Sequence, residues 1–182
     1  ELKDKSGKPR ALDALPDGGT LKDSKFALTV ADYRHLYRQF LRDENLRAAR
    51  ARWPFVVMWD DHEFTDDCWQ TQANYDSSDT FGEASQKRRL AGSQAFFEYQ
   101  PLHLGVSDVA GVTADSKNFA DPGGVTDVQY GYGDVNAENF IGEKNNVAAI
   151  SALTIYRSFR FGKHVELVVT DQRSYRSDHA LP

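Results

Sequence analysis

Apolar residues recur at helical spacing from Thr29 onward, after an opening segment that has no such period. Residues 1–28 are charged and carry two prolines and a glycine pair, so we expect them to form a loop or an extended arm. Thr29 and Asp32 match a capping box, and the apolar residues that follow are spaced i, i+3, i+4, i+7 and i+8. This pattern predicts an amphipathic helix whose apolar face is formed by Tyr33, Leu36, Tyr37, Phe40 and Leu41.

A second helix and a buried strand are predicted next. Asp43 is suited to cap a helix whose inward positions end at Trp53, and Pro54 ends that helix. The apolar run of residues 55–58 has no helical period, which is typical of a buried strand. Acids follow this run directly. We therefore expect them at the carboxyl end of the strand, where ligands bind in open α/β sheets.

A third helix is predicted to start near a capping pair formed by Thr80 and Glu83 and to run to about Tyr99, before Pro101. Alanines share one face of this helix, and the aromatic residues at its end are expected in the core. Three consecutive basic residues lie elsewhere on it, and the pattern favours a solvated face for them. These residues are Lys87, Arg88 and Arg89.

The chain then enters a Gly/Asp-rich insertion at about residues 105–146, which holds seven of the thirteen glycines. So long a stretch without a period indicates either short strands of its own or a functional loop over a site. Beyond it, apolar alternation from Leu153 predicts a strand, a two-residue turn at Gly162-Lys163 and a partner strand over residues 164–170.

The candidate chemistry begins in residues 60–67, hereafter the acidic loop, which hold five carboxylates and one histidine. One interpretation is a solvated loop. The other is a cation site, because clustered carboxylates such as Asp60 and Asp61 repel one another unless a positive charge lies among them. Oxygen ligands with one imidazole, here that of His62, suit calcium, magnesium, manganese or iron. The context favours the cation site.

A second polar segment, residues 171–176, follows the last predicted strand and is hereafter the arginine turn. It places Asp171 just before Arg173 and Arg176. The planar fork of arginine suits pairs of phosphate or carboxylate oxygens. The alternative is an ion pair between Asp171 and an arginine that only holds the loop in place.

Composition limits the class of protein. The 182 residues fit one domain, and the net charge of −5 argues against nucleic acid as a partner. No apolar run is long enough to span a membrane. Cys68 is the single cysteine, so it has no partner for an internal disulfide, and it is expected to be a buried bystander. The single methionine is Met58, so we expect a processed product or a piece of a longer chain.

Four segments together resemble the PhoD-like alkaline phosphatase and phosphodiesterase group of the metallophosphoesterases, and the resemblance covers most of residues 29–176. The segments are Asp32-Tyr33-Arg34 with Tyr37, Trp59-Asp60-Asp61-His62-Glu63 with Asp66-Asp67-Cys68-Trp69, residues 96–101, and Tyr156-Arg157-Ser158-Phe159 with residues 171–176. The resemblance implies an α/β fold with a two-sheet sandwich flanked by helices, and a metal centre with iron and calcium. It also implies hydrolysis of phosphate monoesters or diesters in the periplasm or outside the cell.

The resemblance also implies roles for single residues. Asp61 matches the position that ligates metal in the family, and His62 matches the neighbouring histidine that assists the leaving group. Either Asp66 or Asp67 would complete a calcium site, and Arg173 would contact phosphate. The candidate metal ligands are therefore Asp60, Asp61 and Asp67, and the candidate catalytic residues are His62 and Arg173.

The chain departs from the family pattern in one large respect. Family members carry an upstream Gly-Asp-x-x-Tyr segment with an earlier cysteine, and further acids and histidines downstream, which are missing here. We therefore expect residues 29–182 to be the central part of a domain, with a second chain that carries the rest. The alternatives are a non-catalytic fragment or metal-binding scaffold, and a phosphotriesterase on the same fold.

Overall fold

The computed structural model describes residues 13–21, 24–73, 83–102 and 118–178, and within them the chain is α/β. The chain forms two compact units, Glu1–Phe55 and Val56–Pro182. The helices are α1 (Val30–Phe40), α2 (Glu44–Arg52), α3 (Gln86–Tyr99) and α4 (Lys144–Ser151). The strands form antiparallel pairs, β1 (Gly19–Leu21) with β2 (Ser24–Phe26), β3 (Gln72–Ala73) with β4 (Glu83–Ala84), and β5 (Arg157–Phe161) with β6 (Val165–Val169). These small sheets are compatible with part of a larger domain, and the two-sheet sandwich stays a prediction.

In the first unit, part of the expected extended arm is instead the β1–β2 hairpin, in which Gly19 pairs with Phe26. The Phe26 ring lies where a Cβ on residue 19 would have to be. Gly19, one of the glycine pair that suggested a loop, therefore allows a ring to pack on the backbone. Residues 1–12, which belong to the same expected arm, lie outside the described residues.

The helix caps of the first unit are those that the sequence predicts. The Asp32 backbone N–H donates to Thr29 Oγ1 (3.3 Å), and the Thr29 N–H donates to Asp32 Oδ2 (3.0 Å), which completes the capping box of α1. Asp43 caps α2 through two backbone N–H groups. The inward position predicted for Trp53 is wrong, because its side chain is 58% exposed. The ring lies instead against Arg52, since α2 offers few large apolar neighbours.

Residues 55–58 form no strand within the described residues, so the predicted buried strand is wrong there. Phe55, Val56 and Met58 are each at least 39% exposed. A strand requires a neighbouring strand for its N–H and C=O groups. The Val57 carbonyl instead accepts a hydrogen bond from Arg157 Nη2 (2.9 Å).

The third predicted helix begins later than expected. Glu83 lies in β4, paired with β3, so α3 starts at Gln86 after Ser85. Thr80, the other member of the predicted capping pair, lies outside the described residues. The end of the helix at Tyr99 agrees with the prediction. No helix in the described part of the chain has the length and apolar character needed to cross a membrane.

The predicted hairpin at the end of the chain is present. Arg157 pairs with Val169 and Phe161 pairs with Val165, and Gly162 has a φ of +64° in the turn, which favours glycine. The turn holds three residues rather than two. The first strand starts at Arg157 rather than at Leu153, and the buried residues 152–155 connect the end of α4 to it.

The described part of the Gly/Asp-rich insertion is mostly irregular. It contains a short 3-10 turn at Tyr132–Asp134 and an isolated bridge between Val135 and Ile141, and its last residues begin α4. Ile141 packs in a buried cluster with Trp69 and Tyr130. The insertion therefore contributes to the core of the second unit. Residues 103–117 lie outside the described part.

Candidate functional site

The acidic loop folds around Asp61, which is buried. The backbone N–H of His62 donates to Asp61 Oδ1 (2.8 Å), and that of Asp67 donates to Oδ2 (3.0 Å). The Asp61 carbonyl accepts from the N–H groups of Phe64 (2.8 Å) and Thr65 (2.7 Å). Asp67 adopts a φ of +51°, which turns the chain back toward Asp61. Asp61 thus organises much of the loop, through its carboxylate and through its backbone carbonyl.

The environment of Asp61 favours its charged form. Burial alone would raise the pKa of this carboxyl, but the hydrogen bond from Asp67 and the charge of Arg173 lower it more. The pKa of Asp61 therefore lies below its ordinary value of 3.8. A carboxylate that stays ionised is available to bind a cation.

Three side chains of the acidic loop come close enough to share one ion. Ligand atoms of Asp61, His62 and Asp66 all lie within 4.8 Å of one another, and His62 Nε2 is 3.2 Å from Asp66 Oδ1. The His62 side chain is 79% exposed, so an ion could enter from solvent. This cluster contains Asp66 rather than the predicted ligands Asp60 and Asp67.

Arg173 joins the arginine turn to the acidic loop. Its Nε and Nη2 donate to Asp60 Oδ1 (2.9 and 2.7 Å), and Nη2 lies 3.4 Å from Asp61 Oδ2. Nη1 donates to the Cys68 carbonyl (3.3 Å). Burial lowers the pKa of Arg173, but these carboxylates raise it more, so the guanidinium stays charged. The two segments singled out in the sequence thus meet in space.

Asp171 fixes the shape of the arginine turn. Its Oδ1 accepts hydrogen bonds from Trp59 Nε1 (2.8 Å) and from the backbone N–H groups of Arg173 (3.1 Å) and Ser174 (2.9 Å). The alternative ion pair between Asp171 and an arginine is therefore not what Arg173 forms, because its guanidinium bonds to Asp60 instead. Asp171 positions the backbone that carries Arg173.

The solvated face predicted for the basic triplet of α3 is wrong for two of its members. Arg88 and Arg89 are buried, whereas Lys87 is exposed. Arg89 Nη2 donates to Ser174 Oγ (2.7 Å), and its guanidinium lies 4.4 Å from the centre of the Trp59 ring. Arg88 Nη2 donates to the Phe64 carbonyl (3.2 Å). The two arginines therefore stabilise both segments of the site, since Arg88 bonds to the acidic loop and Arg89 bonds to the arginine turn.

A signal for these arginines exists in the sequence. Arg89 shares a helical face with Ser93 and Phe96, at i+4 and i+7, and that face is buried. The signal is therefore that Arg89 lies at helical spacing from the aromatic Phe96, which is buried.

Cys68 is fully buried, as expected, and burial raises the pKa of its thiol.

Comparison with known proteins assigns the class. The family model for PhoD-like phosphatase matches residues 8–181, so the chain belongs to the PhoD-like phosphatase family. The chain is also similar to alkaline phosphatase D of Bacillus subtilis (strain 168), with 29% identity over 153 residues. That match covers 84% of this chain and 19% of the relative. No solved structure matches. The family resemblance inferred from the motifs is confirmed.

Proposed function

We propose that this chain contributes to an active site for metal-dependent hydrolysis of phosphate monoesters or diesters. The observation that carries the proposal is the meeting of the acidic loop with Arg173 around the buried carboxylate of Asp61. Carboxylates can hold a cation there, and a guanidinium beside them can bind phosphate oxygens. Membership of the PhoD-like phosphatase family, and the name of its relative in Bacillus subtilis, support the same reaction class.

The residues present fit a metal ion. Asp61, His62 and Asp66 would hold it, since their ligand atoms already lie within 4.8 Å of one another. Carboxylate oxygens suit calcium, and carboxylates with imidazole suit iron, the two metals implied by the family resemblance. Asp60 and Asp67 remain proposed as further ligands. When bound, the ion would polarise a phosphoryl oxygen and lower the pKa of a bound water.

Arg173 would bind the phosphoryl group. Its side chain is 11% exposed and is held on the Asp60 side by two N–H groups, so its position changes little when the substrate arrives. A positive charge fixed in advance offsets the negative charge of the phosphoryl oxygens in the bound substrate and in the transition state about equally.

His62 would hold a proton for the leaving group. Its Nε2 lies 3.2 Å from the Asp66 carboxylate, which can orient the imidazole. A His62 nitrogen that coordinates a metal ion carries no proton, so that nitrogen cannot also protonate the leaving group. The metal content of a His62 variant therefore separates the ligand role from the proton-transfer role.

We also propose that the rest of the site and the second sheet of the sandwich come from outside this segment, on the same polypeptide or on a partner chain. The chain spans 19% of the length of the relative it matches. The exposed apolar side chains of Val56 and Met58 offer a surface that such a segment could cover. A periplasmic or extracellular location is proposed on the family resemblance. No contact among the described residues favours the scaffold or the phosphotriesterase.

The test uses the intact protein with an aryl phosphate and an aryl diester, before and after chelation. We expect turnover that chelation abolishes and that iron or calcium restores. Asp61→Asn should bind less metal and lose at least about 100-fold of kcat/KM. Even the replacement of a residue that only hydrogen-bonds to a metal ligand typically lowers metal affinity or activity about 10–100-fold. Asp121→Asn, an exposed acid outside the acidic loop, is the control. Full activity of Asp61→Asn at unchanged metal content would refute the proposal.

A further inference from the structure

Gln70 lies between the acidic loop and β3, and two features set it apart. It is fully buried, and its φ is +48°, in the left-handed region that long side chains avoid. Such strain persists only where the surrounding contacts hold it.

Every hydrogen-bonding position of the Gln70 side chain is used. Nε2 donates to the carbonyls of Asn139 and Arg176 (both 3.1 Å), and Oε1 accepts from the Ile141 N–H (3.0 Å) and from Asn146 Nδ2 (2.9 Å). A glutamine amide offers two donors and a carbonyl oxygen with two lone pairs, so the group is saturated. Buried and saturated amides fix their partners in place.

The backbone of Gln70 completes a clamp on the arginine turn. Its N–H donates to the Arg173 carbonyl (2.7 Å), while its side chain binds the Arg176 carbonyl. Gln70 therefore holds this turn at Arg173 and three residues further on. With its backbone in the left-handed region, Gln70 makes the backbone contact to Arg173 and the side-chain contact to Arg176 at the same time.

The other side of the clamp is anchored on α4. Asn146 is fully buried, and its Nδ2 also donates to the Ile141 carbonyl (2.7 Å). Its Oδ1 accepts from Thr71 Oγ1 (2.7 Å). The clamp thus connects the arginine turn to a helix, which is a more rigid support than a loop.

We propose that Gln70 is the positioning residue for Arg173, and that phosphate binding by Arg173 depends on it. The kinetic part of this inference rests on the proposed function, whereas the placement of Arg173 does not. Because the guanidinium makes three directional hydrogen bonds, a small shift of its backbone misaligns the fork. Gln70 makes none of these bonds itself and acts through Arg173.

The chain offers a matched control in Gln86. It is equally buried, and its amide makes two hydrogen bonds to the backbone of Val128 (3.1 and 2.9 Å), outside the acidic loop and the arginine turn. Gln70→Glu and Gln86→Glu therefore both place a carboxylate against a buried carbonyl. A difference between the effects of these two variants therefore reports on where the glutamine lies in the fold, and not on the burial of a carboxylate.

The first measurement needs no activity. The measurement is an NMR spectrum of the metal-free intact protein. In it, the Nε–H signal of Arg173 is identified as the one that is absent from the spectrum of Arg173→Lys. We expect Gln70→Glu to shift or broaden this signal and Gln86→Glu to leave it unchanged. Gln70→Asn is the second variant, because its shorter side chain loses the reach to Arg176 while asparagine tolerates the left-handed region. It serves if Gln70→Glu does not fold. An unchanged signal in a folded Gln70 variant overturns the proposal.

The second measurement is kinetic. Gln70→Asn should raise KM and weaken inhibition by inorganic phosphate about 10-fold or more, since a misplacement of about 1 Å can cost about 100-fold. In an Arg173→Ala background the same substitution should cost almost nothing further. Equal losses in both backgrounds overturn the proposal. An inactive wild-type protein in which the Arg173 signal still responds to Gln70 would refute the proposed function alone.

Discussion

The acidic loop and the arginine turn meet at Asp61 and Arg173, but they are built in opposite ways. In the acidic loop the side chains of His62 and Asp66 are mostly exposed and contact each other at 3.2 Å. In the arginine turn, Asp171 Oδ1 accepts three hydrogen bonds and Gln70 binds two carbonyls. Exposed ion pairs contribute little to stability, whereas buried and saturated networks hold their geometry.

This difference indicates that the acidic loop and the arginine turn have different roles. The turn that carries Arg173 is fixed before any ligand binds, so the energy needed to orient the guanidinium comes from folding. The exposed side chains of the loop are instead open to an ion from solvent. If this is correct, substitutions in the acidic loop should change chemistry, and those behind the arginine turn should change positioning or stability.

The largest effect is expected at His62. Its replacement by alanine removes a proton donor or a metal ligand, and general acid–base groups contribute about 10²–10⁴-fold to the rate. We expect His62→Ala to lower kcat by this amount in the intact protein, with metal content quantified alongside. Loss of metal would assign His62 as a ligand. Near-normal kcat with full metal occupancy would show that His62 only supports Asp61.

A smaller effect, and of another kind, is expected at Arg173. A guanidinium that contacts the bound phosphate and the transition state about equally contributes uniform binding, so Arg173→Ala should mainly raise KM. Hydrogen bonds to charged groups contribute about 1.5–3 kcal/mol, which corresponds to about 10–100-fold. Michaelis curves on an aryl phosphate and an aryl diester measure this effect. A kcat loss in Arg173→Ala as large as that in His62→Ala would contradict the different roles of the two segments.

The sequence predicted those features that depend on neighbouring residues. The capping box of Thr29 and Asp32, the cap at Asp43 and the turn at Gly162 all rest on contacts within a few residues. The two polar segments were also identified, because acids and arginines after apolar runs are visible in the sequence. Their roles as metal ligands, proton donor and phosphate contact stay predictions.

Features that depend on distant residues were missed. Arg89 lies on Trp59 and bonds to Ser174, which is 85 positions away in the chain. Residues 55–58 have the composition of a strand but form none in the described residues, because pairing requires another strand. Gln70 was not singled out at all, since nothing in its sequence neighbourhood marks a buried amide.

The burial of Arg89 gives a stability test of the arginine turn. Arg89→Met keeps the bulk but leaves the buried Ser174 hydroxyl without its donor, which should cost about 1–3 kcal/mol in the free energy of unfolding. Lys87→Met, on the exposed face of the same helix, should change it by less than about 0.5 kcal/mol. Denaturant unfolding of both variants measures the difference. Equal effects would mean that Arg89 does not support the turn.

The smallest effect concerns the charge of Asp61 in metal-free protein. Burial raises the pKa of this carboxyl, but the Asp67 N–H and Arg173 lower it more, so the pKa in the folded state is below 3.8. The folded state therefore favours the ionised form, and its contribution is fully present above the pKa of the unfolded chain. The contribution is lost as the pH falls through the lower folded pKa. Unfolding of wild type and of Asp61→Asn, followed from neutral pH to below 3.8 with chelator present, should show two stability curves that converge in acid. Parallel curves would mean that the interactions of Asp61 with Asp67 and Arg173 do not favour its charge, and that the acidic loop is not organised around an ionised carboxylate.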